Sequence, residues 1–358
     1  MKEKNPDQKL HDVIIVGSGI AGSLLSYFLV QQNLKVLVFN QEYERSASRV
    51  AVGIVKPITG RRLAKSWNLE QFLPFAHSFY KNLEKELQFK FYFPIPNLEL
   101  CSNVKQLNEW ISKSGEPDYK AYIKGRTEIK SEWGIQNIQS SIRIAQTFHV
   151  NVASLCASLM SFLSDQLIIK SESFDHTLLQ INSDHIQYSD LKSKLIVFCE
   201  GGFVQSNPFF KDYPFQNVKG DVLHIQHSTL PQEYILSKGI FIVPIGNHQF
   251  KVGSTYNWKA NNDLPDNEAR QELETKLKRI IGDTYSIIKH EAGYRPSIKE
   301  RRPIIGFHPV HHCLGIFNGL GSKGVLMAPY MAQHFAKVIC KIESLDQKFN
   351  LQQFDYNS

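Results

Sequence analysis

Cysteine is scarce and scattered in this 358-residue chain. The five, Cys101, Cys156, Cys199, Cys313 and Cys340, form no C-x-x-C pair. Neither a disulfide framework nor a zinc knuckle is indicated, and they read as core thiols. Long apolar runs are also missing. The first dozen residues, MKEKNPDQKLHD, are polar and lack the apolar core of a secretory signal, and no later stretch approaches the length of a membrane span. We therefore expect a cytoplasmic protein with no membrane partner. Internal repeats, low-complexity tracts and an arginine-rich tail are absent too.

Metal-ligand patterns are equally poor. His224 and His227 are three apart in an expected strand, a spacing that points side chains to opposite faces. His308, His311 and His312 fall in an expected turn without a carboxylate or thiol cluster nearby. No metal site is expected.

What remains is ordinary for a folded chain of about two domains: 42% hydrophobic and 21% charged residues. The formal net charge of +7 hints at an anionic partner, either nucleic acid or small carboxylates. Basic residues gather at Arg61, Arg62 and Lys65 and again at Lys299, Arg301 and Arg302, but no nucleic-acid module accompanies them.

The strongest local signal is DVIIVGSGIAG at residues 12–22. An apolar strand, Val13 to Val16, runs into Gly17-x-Gly19-x-x-Gly22 and opens a helix with apolar Leu24, Leu25, Phe28 and Leu29. A second strand, Lys35 to Phe39, completes the unit. Gly17 permits the tight turn, Gly19 lets backbone approach a pyrophosphate, and Gly22 lets the helix pack on the strand. The anion then sits on the helix N-terminus. The acidic residue expected about twenty positions on, at the end of the second strand, is replaced by Asn40. Asn40 keeps an acceptor and a donor but no charge; Glu42, two residues later, is the alternative ribose partner. No arginine follows to hold a 2′-phosphate, which argues against NADP.

Further along, a helix is expected over Val152 to Leu163, a strand over Lys194–Cys199 ending in Glu200-Gly201-Gly202, and a charged amphipathic helix over about Asn267 to Ile281. The chain returns through Ala292–Pro296 to a strand at Leu314–Phe317, and a glycine-rich loop, Gly319 to Gly324, starts a final helix. β-rich excursions separate these pieces, so two domains are interleaved rather than consecutive.

In order, the motifs are DVIIVGSGIAG, SASRVAVG, IVFCEGG, VKGDVL, FIVP, VGSTY, AGYRPSIKERRPIIG and NGLGSKGVLMAP. On this ordered set the chain resembles the D-amino-acid oxidase superfamily of FAD proteins over essentially its whole length. GLGSKG followed by AP, with ERRP, is similar to the flavin domain of the bifunctional MnmC tRNA-modifying enzymes; AGYRP equally resembles glycine and sarcosine oxidases.

The resemblance implies an α/β (α+β overall) flavoprotein. A Rossmann-like FAD-binding domain (residues 1–80, 145–220 and 295–358) would be interleaved with a mixed, largely antiparallel β-sheet substrate domain (81–144 and 221–294). FAD would be held without a covalent bond, since no cysteine lies near AGYRP. Its contacts would come from Gly17, Ser18, Gly19, Ile20, Ala21, Gly22 and Asn40 in the fingerprint, and from Ser48, Ala51, Gly53 and Ile54 in the flavin loop. Gly201 and Gly202, then Gly319, Gly321, Ser322, Lys323 and Gly324, would complete the set.

Chemistry of this kind moves a hydride equivalent from the carbon beside nitrogen to the flavin, so the protein orients substrate and stabilises charge rather than supplying a triad. The resemblance puts Arg295 on a substrate carboxylate, as a bidentate charge-assisted partner. Lys323 falls beside amides expected to face the reduced ring, and Phe241 stands where glycine oxidases have a tyrosine. Lys259 falls near a lysine that sarcosine oxidases use with oxygen, and Lys56 near the ring edge. The expected substrate is a small carboxylated amine or the carboxymethylaminomethyl group of a tRNA wobble uridine. A free amino-acid oxidase or dehydrogenase and a non-catalytic flavin-binding subunit are the alternatives.

Overall fold

A computed structural model describes residues 10–60, 62–182 and 185–354; Arg61 of the first basic group lies outside the described residues. Strand β1 (Leu10–Val16) enters helix α1 (Ile20–Gln31), and β2 (Val36–Phe39) returns beside β1. The pairing is parallel, with Val13 opposite Val36. Helix α2 (Leu69–Leu87) leads to β3 (Asn97–Cys101), and α3 (Val152–Leu163) leads to β4 (Leu191–Phe198). Next come β5 (Phe215–Gln226), β6 (Ile235–Ser237), β7 (Phe241–Gly246) and β8 (Gln249–Gly253). Helix α4 (Asn267–Ile281), β9 (Ser286–Ile298), β10 (Leu314–Asn318) and α5 (Gly324–Ile339) finish the chain.

Two large sheets organise these elements. In the first, β2, β1, β4 and β10 lie side by side in parallel, as Val13 faces Leu195 and Ile196 faces Leu314. Pleating sends alternate residues to opposite cores. Val13 and Ile15 join Leu24, Leu25, Phe28 and Leu29 under the helices, whereas Ile14 and Val16 join Phe39, Phe198 and Phe210 on the other face. The four apolar side chains of α1 are almost fully buried. At about 1.5–3 kcal/mol for each, their burial favours seating the helix on the sheet.

The second sheet has the order β9, β5, β8, β7, β6, β3, followed by the strands Ser140–Ile144 and Ile123–Thr127. It is antiparallel apart from the β6–β3 pair. One face packs Leu98, Leu223, Leu236, Ile242 and Val252 against Leu273, Leu277 and Ile280 of α4. The other packs Val222, Ile235 and Val243 against Val50 and Val52. That second face therefore looks toward the segment expected to hold flavin.

One expectation is corrected: Ala292–Pro296 is part of the 13-residue strand β9 rather than a connecting return. Strands β5 and β9 pair from Phe215 opposite Ile298 to Gln226 opposite Ser286, with a register shift between His224 and Ile225. Among the described residues, no helix is long and apolar enough to cross a membrane.

Candidate active site

Parallel strands end their C-termini on one edge, where doubly wound sheets bind ligands. Here β1, β2, β4 and β10 bring Gly17–Gly22, Asn40, Gly201–Gly202 and Gly319–Gly324 to that edge. The chain closes tightly. A Cβ on Gly17 would lie 2.6 Å from the Cys199 carbonyl oxygen, and one on Gly22 only 1.8 Å from the Gly17 carbonyl oxygen. Asn318 Nδ2 donates to the Gly201 carbonyl at 2.9 Å, tying two of these loops together.

Gly19 caps α1 with extended backbone and no side-chain hydrogen bond, so first-turn amides remain for an anion. The Ile20 amide donates to Ser48 Oγ at 3.0 Å, which brings the 48–54 segment against the fingerprint. Asn40 accepts a short hydrogen bond from the Ser18 hydroxyl, so its acceptor oxygen is engaged within the loop. Glu42, the alternative ribose partner, is exposed. Gly53 and Ile54 lie beside the strand Phe148–Val150, with Ile54 opposite His149.

The second sheet turns a row of candidate side chains toward the 50–54 segment. Cross-strand pairing sets Glu99 opposite Ser237, Ser237 opposite Phe241, Phe241 opposite Gly253, and Gly253 opposite Val222. Facing pairs share a side of the sheet, and Val222 belongs to the flavin-loop cluster. Arg295 has the same parity on β9. Its guanidinium reaches back over Gly220, donating through Nη2 to Ser254 Oγ at 2.6 Å and through Nη1 to the Thr255 carbonyl at 3.3 Å. The Tyr256 ring covers it, 4.6 Å from Cζ.

Burial pulls the Arg295 pKa below its ordinary value, partly offset by Tyr256 and Asp221. Among the described residues no carboxylate lies within 4.0 Å of it. Fully buried Asp221 is taken up by His290 Nε2 at 2.9 Å and Thr255 Oγ1 at 3.2 Å.

Lys323 lies just before α5, partly buried. Desolvation, and after it the charge of Lys56, pushes its pKa down to about 8. Lys56 makes a short ion pair with Glu99, itself held by Asn97 Nδ2 at 2.9 Å; Asn97 in turn accepts from Ser237 Oγ at 2.6 Å. Lys251, lowered by desolvation, reaches the Ala51 carbonyl at 3.4 Å. His149, stacked on Phe93 with centroids 4.7 Å apart, is pushed down to about 4 by burial and secondarily by Lys251.

The fold thus gathers Arg295 and Phe241 around Gly253, while the Gly321 turn meets Ser297, two residues beyond Arg295. Lys259 is not brought in: it is exposed, with its amide on Asn257 Oδ1. The histidine groupings are occupied otherwise, His224 by Glu291 at 2.6 Å, His227 by Thr284 at 2.9 Å, and His308 by stacking on His311. Among the described residues no group of three or more His, Cys, Asp or Glu could hold a metal ion. Asn97, Glu99 and Ser237 belong to no recognisable motif; the alternation in NLELC is a local sign for the first two alone.

A glycine cradle and helix N-terminus at a parallel-sheet edge, beside an antiparallel sheet with a half-buried arginine, are the features of a dinucleotide-binding protein. More narrowly, the chain belongs to the DAO family of FAD dependent oxidoreductases, whose profile matches residues 12–338.

Glycine oxidase of Bacillus subtilis (strain 168) is 24% identical over 353 residues, covering 89% of this chain and 90% of that one. The MnmC bifunctional tRNA 5-methylaminomethyl-2-thiouridine biosynthesis protein of Marinobacter nauticus is 20% identical over 92% of this chain but only 55% of its own length. Among solved structures, iminodiacetate oxidase from Chelativorans sp. BNC1 superposes with a TM-score of 0.80 at 18% identity, covering 94% of this chain and 98% of that one. Glycine oxidase from Geobacillus kaustophilus gives 0.80 at 18%, covering 95% and 98%.

FAD is the cofactor, and the residues present fit it. Gly17 and Gly22 have no room for a side chain, the N-cap of α1 makes no side-chain hydrogen bond, and the 50–54 segment lies against the sheet that carries Arg295.

Proposed function

We propose that this protein oxidises the C–N bond of a carboxylated amine. The observation behind this reading is the Arg295 guanidinium, desolvated and without a carboxylate within 4.0 Å among the described residues. A desolvated charge is costly unless paired. A substrate carboxylate supplies the pair, and the planar fork fixes the neighbouring carbon through two parallel hydrogen bonds.

Bound FAD would supply the acceptor for the hydride equivalent; the Gly17–Gly22 turn, Asn40, the 48–54 segment, Gly201–Gly202 and the 319–324 loop would hold it. Arg295 orients the substrate, and the Phe241 ring adds an apolar wall that excludes water without offering a hydroxyl. Lys323 and the amides at the N-terminal end of α5 are the positive groups available to negative charge that develops in the cleft. In this reading the first sheet belongs to a cofactor unit and the second to a substrate unit, joined through β5 and β9.

Within the class we favour the carboxymethylaminomethyl group of a tRNA wobble uridine. The net charge of +7, the missing tyrosine hydroxyl at Phe241 and the similarity to MnmC support it. A free amino acid or N-methylglycine is the second reading, supported by the similarity to glycine oxidases. Anaerobic mixing of the yellow protein with sarcosine, glycine, D-amino acids or modified tRNA separates them, because only the true substrate bleaches the flavin. No bleaching with any of these would sink the enzymatic reading and favour a non-catalytic flavin-binding subunit.

A further inference from the structure

VKGDVL contributes a residue whose purpose is not conformational. Gly220 sits in the middle of β5, paired with Gly293 of β9, at a position where the strand continues regularly on both sides. Its φ lies outside the left-handed region, so the backbone there accepts any L-residue. Space is what it provides. An added Cβ would lie 2.0 Å from Arg295 Nη2 and 2.3 Å from both Cζ and Nη1, and these three are the nearest atoms it would meet. The guanidinium occupies the volume that any other side chain at this position would fill.

We infer that Gly220 is a positioning residue for the substrate carboxylate: it is the seat that lets the Arg295 guanidinium lie flat on the sheet. This rests on the reading of Arg295 as the carboxylate anchor. Seated there, the group is fixed in three ways, by the bare Cα of Gly220 beneath it, by the Ser254 hydroxyl and Thr255 carbonyl at two of its nitrogens, and by the Tyr256 ring 4.6 Å away. Two of its five N–H groups are engaged, and the others remain for an anion. Tyr256 is 55% exposed, so the cover is on the solvent side. A methyl group at 220 lifts the fork out of this slot, breaks the register with Ser254 and Thr255, and displaces the carboxylate it would hold. Because the atom that must yield is the far end of a flexible side chain, the fold tolerates the change.

The test compares Gly220→Ala, Arg295→Met and the double variant in the FAD-loaded enzyme. Benzoate is titrated as a dead-end carboxylate by perturbation of the flavin absorbance, and sarcosine and glycine are titrated as amines. Gly220→Ala is expected to weaken carboxylate binding 10- to 100-fold with FAD content retained and Tm within about 2 °C of wild type. In the Arg295→Met background the same change is expected to shift binding less than 2-fold, which a merely structural role would not produce.

Phenylglyoxal labelling of Arg295, followed by peptide mass spectrometry, reads the seat without any ligand and is expected to quicken several-fold in Gly220→Ala. Unchanged binding and labelling in Gly220→Ala overturn the inference, as does an equal effect in both backgrounds. If Arg295→Met leaves carboxylate affinity unaltered, or wild type binds none of the three ligands, the anchor reading itself fails and takes this one with it. A silent Gly220→Ala beside a crippled Arg295→Met refutes the seat alone.

Discussion

Gly19 and Gly22 are three residues apart in one motif, yet the structure assigns them different work, and replacing each with alanine separates the two. A Cβ on Gly22 would stand 1.8 Å from the Gly17 carbonyl oxygen and 3.1 Å from Ile15 Cγ2. The nearer atom is backbone and cannot swing aside. Helix α1 would have to withdraw from β1 by on the order of 1 Å, loosening Leu24, Leu25 and Phe28 in the core, and overpacking of this kind costs about 3 kcal/mol. At about 2–4 °C for each kcal/mol, the apoprotein Tm should fall by roughly 6–12 °C.

Gly19 is different. Its backbone is extended, with φ −66° and ψ −173°, and a Cβ would meet only Ser48, with Oγ at 3.0 Å. Gly19→Ala should leave the apoprotein Tm within about 1 °C of wild type yet weaken FAD binding at least tenfold, because the methyl group stands where a pyrophosphate approaches. Circular dichroism melts of the apoproteins and fluorescence titration with FAD measure both quantities. If Gly19→Ala binds FAD normally, or destabilises the apoprotein as much as Gly22→Ala does, the division of labour is wrong.

Arg295→Met should raise KM for a carboxylated substrate by about 10- to 150-fold, the loss of a charge-assisted pair worth roughly 1.5–3 kcal/mol, while FAD is retained; an unchanged KM removes Arg295 from the pocket. In the apoprotein, Lys323 should lose its proton near pH 8 rather than near 10.5. NMR of methylated lysines, assigned with Lys323→Met, should show that midpoint, and Lys56→Met should move it upward. The unfolded chain holds this proton from about 8 to 10.5, so stability should rise with pH across that window.

His149 has its folded pKa depressed from 6.5 to about 4, so between those values the unfolded state binds the proton and the folded state does not. Stability should therefore fall by ~3 kcal/mol as pH drops from 7 to 4. Urea unfolding of wild type and His149→Gln would test this; parallel pH dependences would exonerate the histidine.

Local chemistry explains which elements were readable. The fingerprint is contiguous, and α3 and α4 show 3.6-residue periodicity with clear N-caps, Asn151 and Asp266; both helices run over the expected residues. AGYRP misled because glycine and proline ordinarily punctuate strands. In β9, Gly293 faces Gly220 and Pro296 faces Asn217, and that pairing is visible only once distant segments meet. The Lys56–Glu99 pair and the Asn97–Ser237 bond span 43 and 140 residues, so the meeting of distant segments rather than any motif creates them. Arg295 was legible as a residue type in a motif; its contacts with Ser254, Thr255, Tyr256 and Gly220 were not.

The β5–β9 ribbon bears on how the molecule can move. One end, Phe215 and Ile298, is embedded in the core of the first sheet, while Leu223 and Ile225 further along are embedded beneath α4. A ladder twelve residues long, anchored in two separate cores, behaves as a beam rather than a hinge. That continuity predicts that the two sheets keep their spacing when a ligand binds, and that cutting the chain at residue 220 or 295 would sever strands shared by both cores.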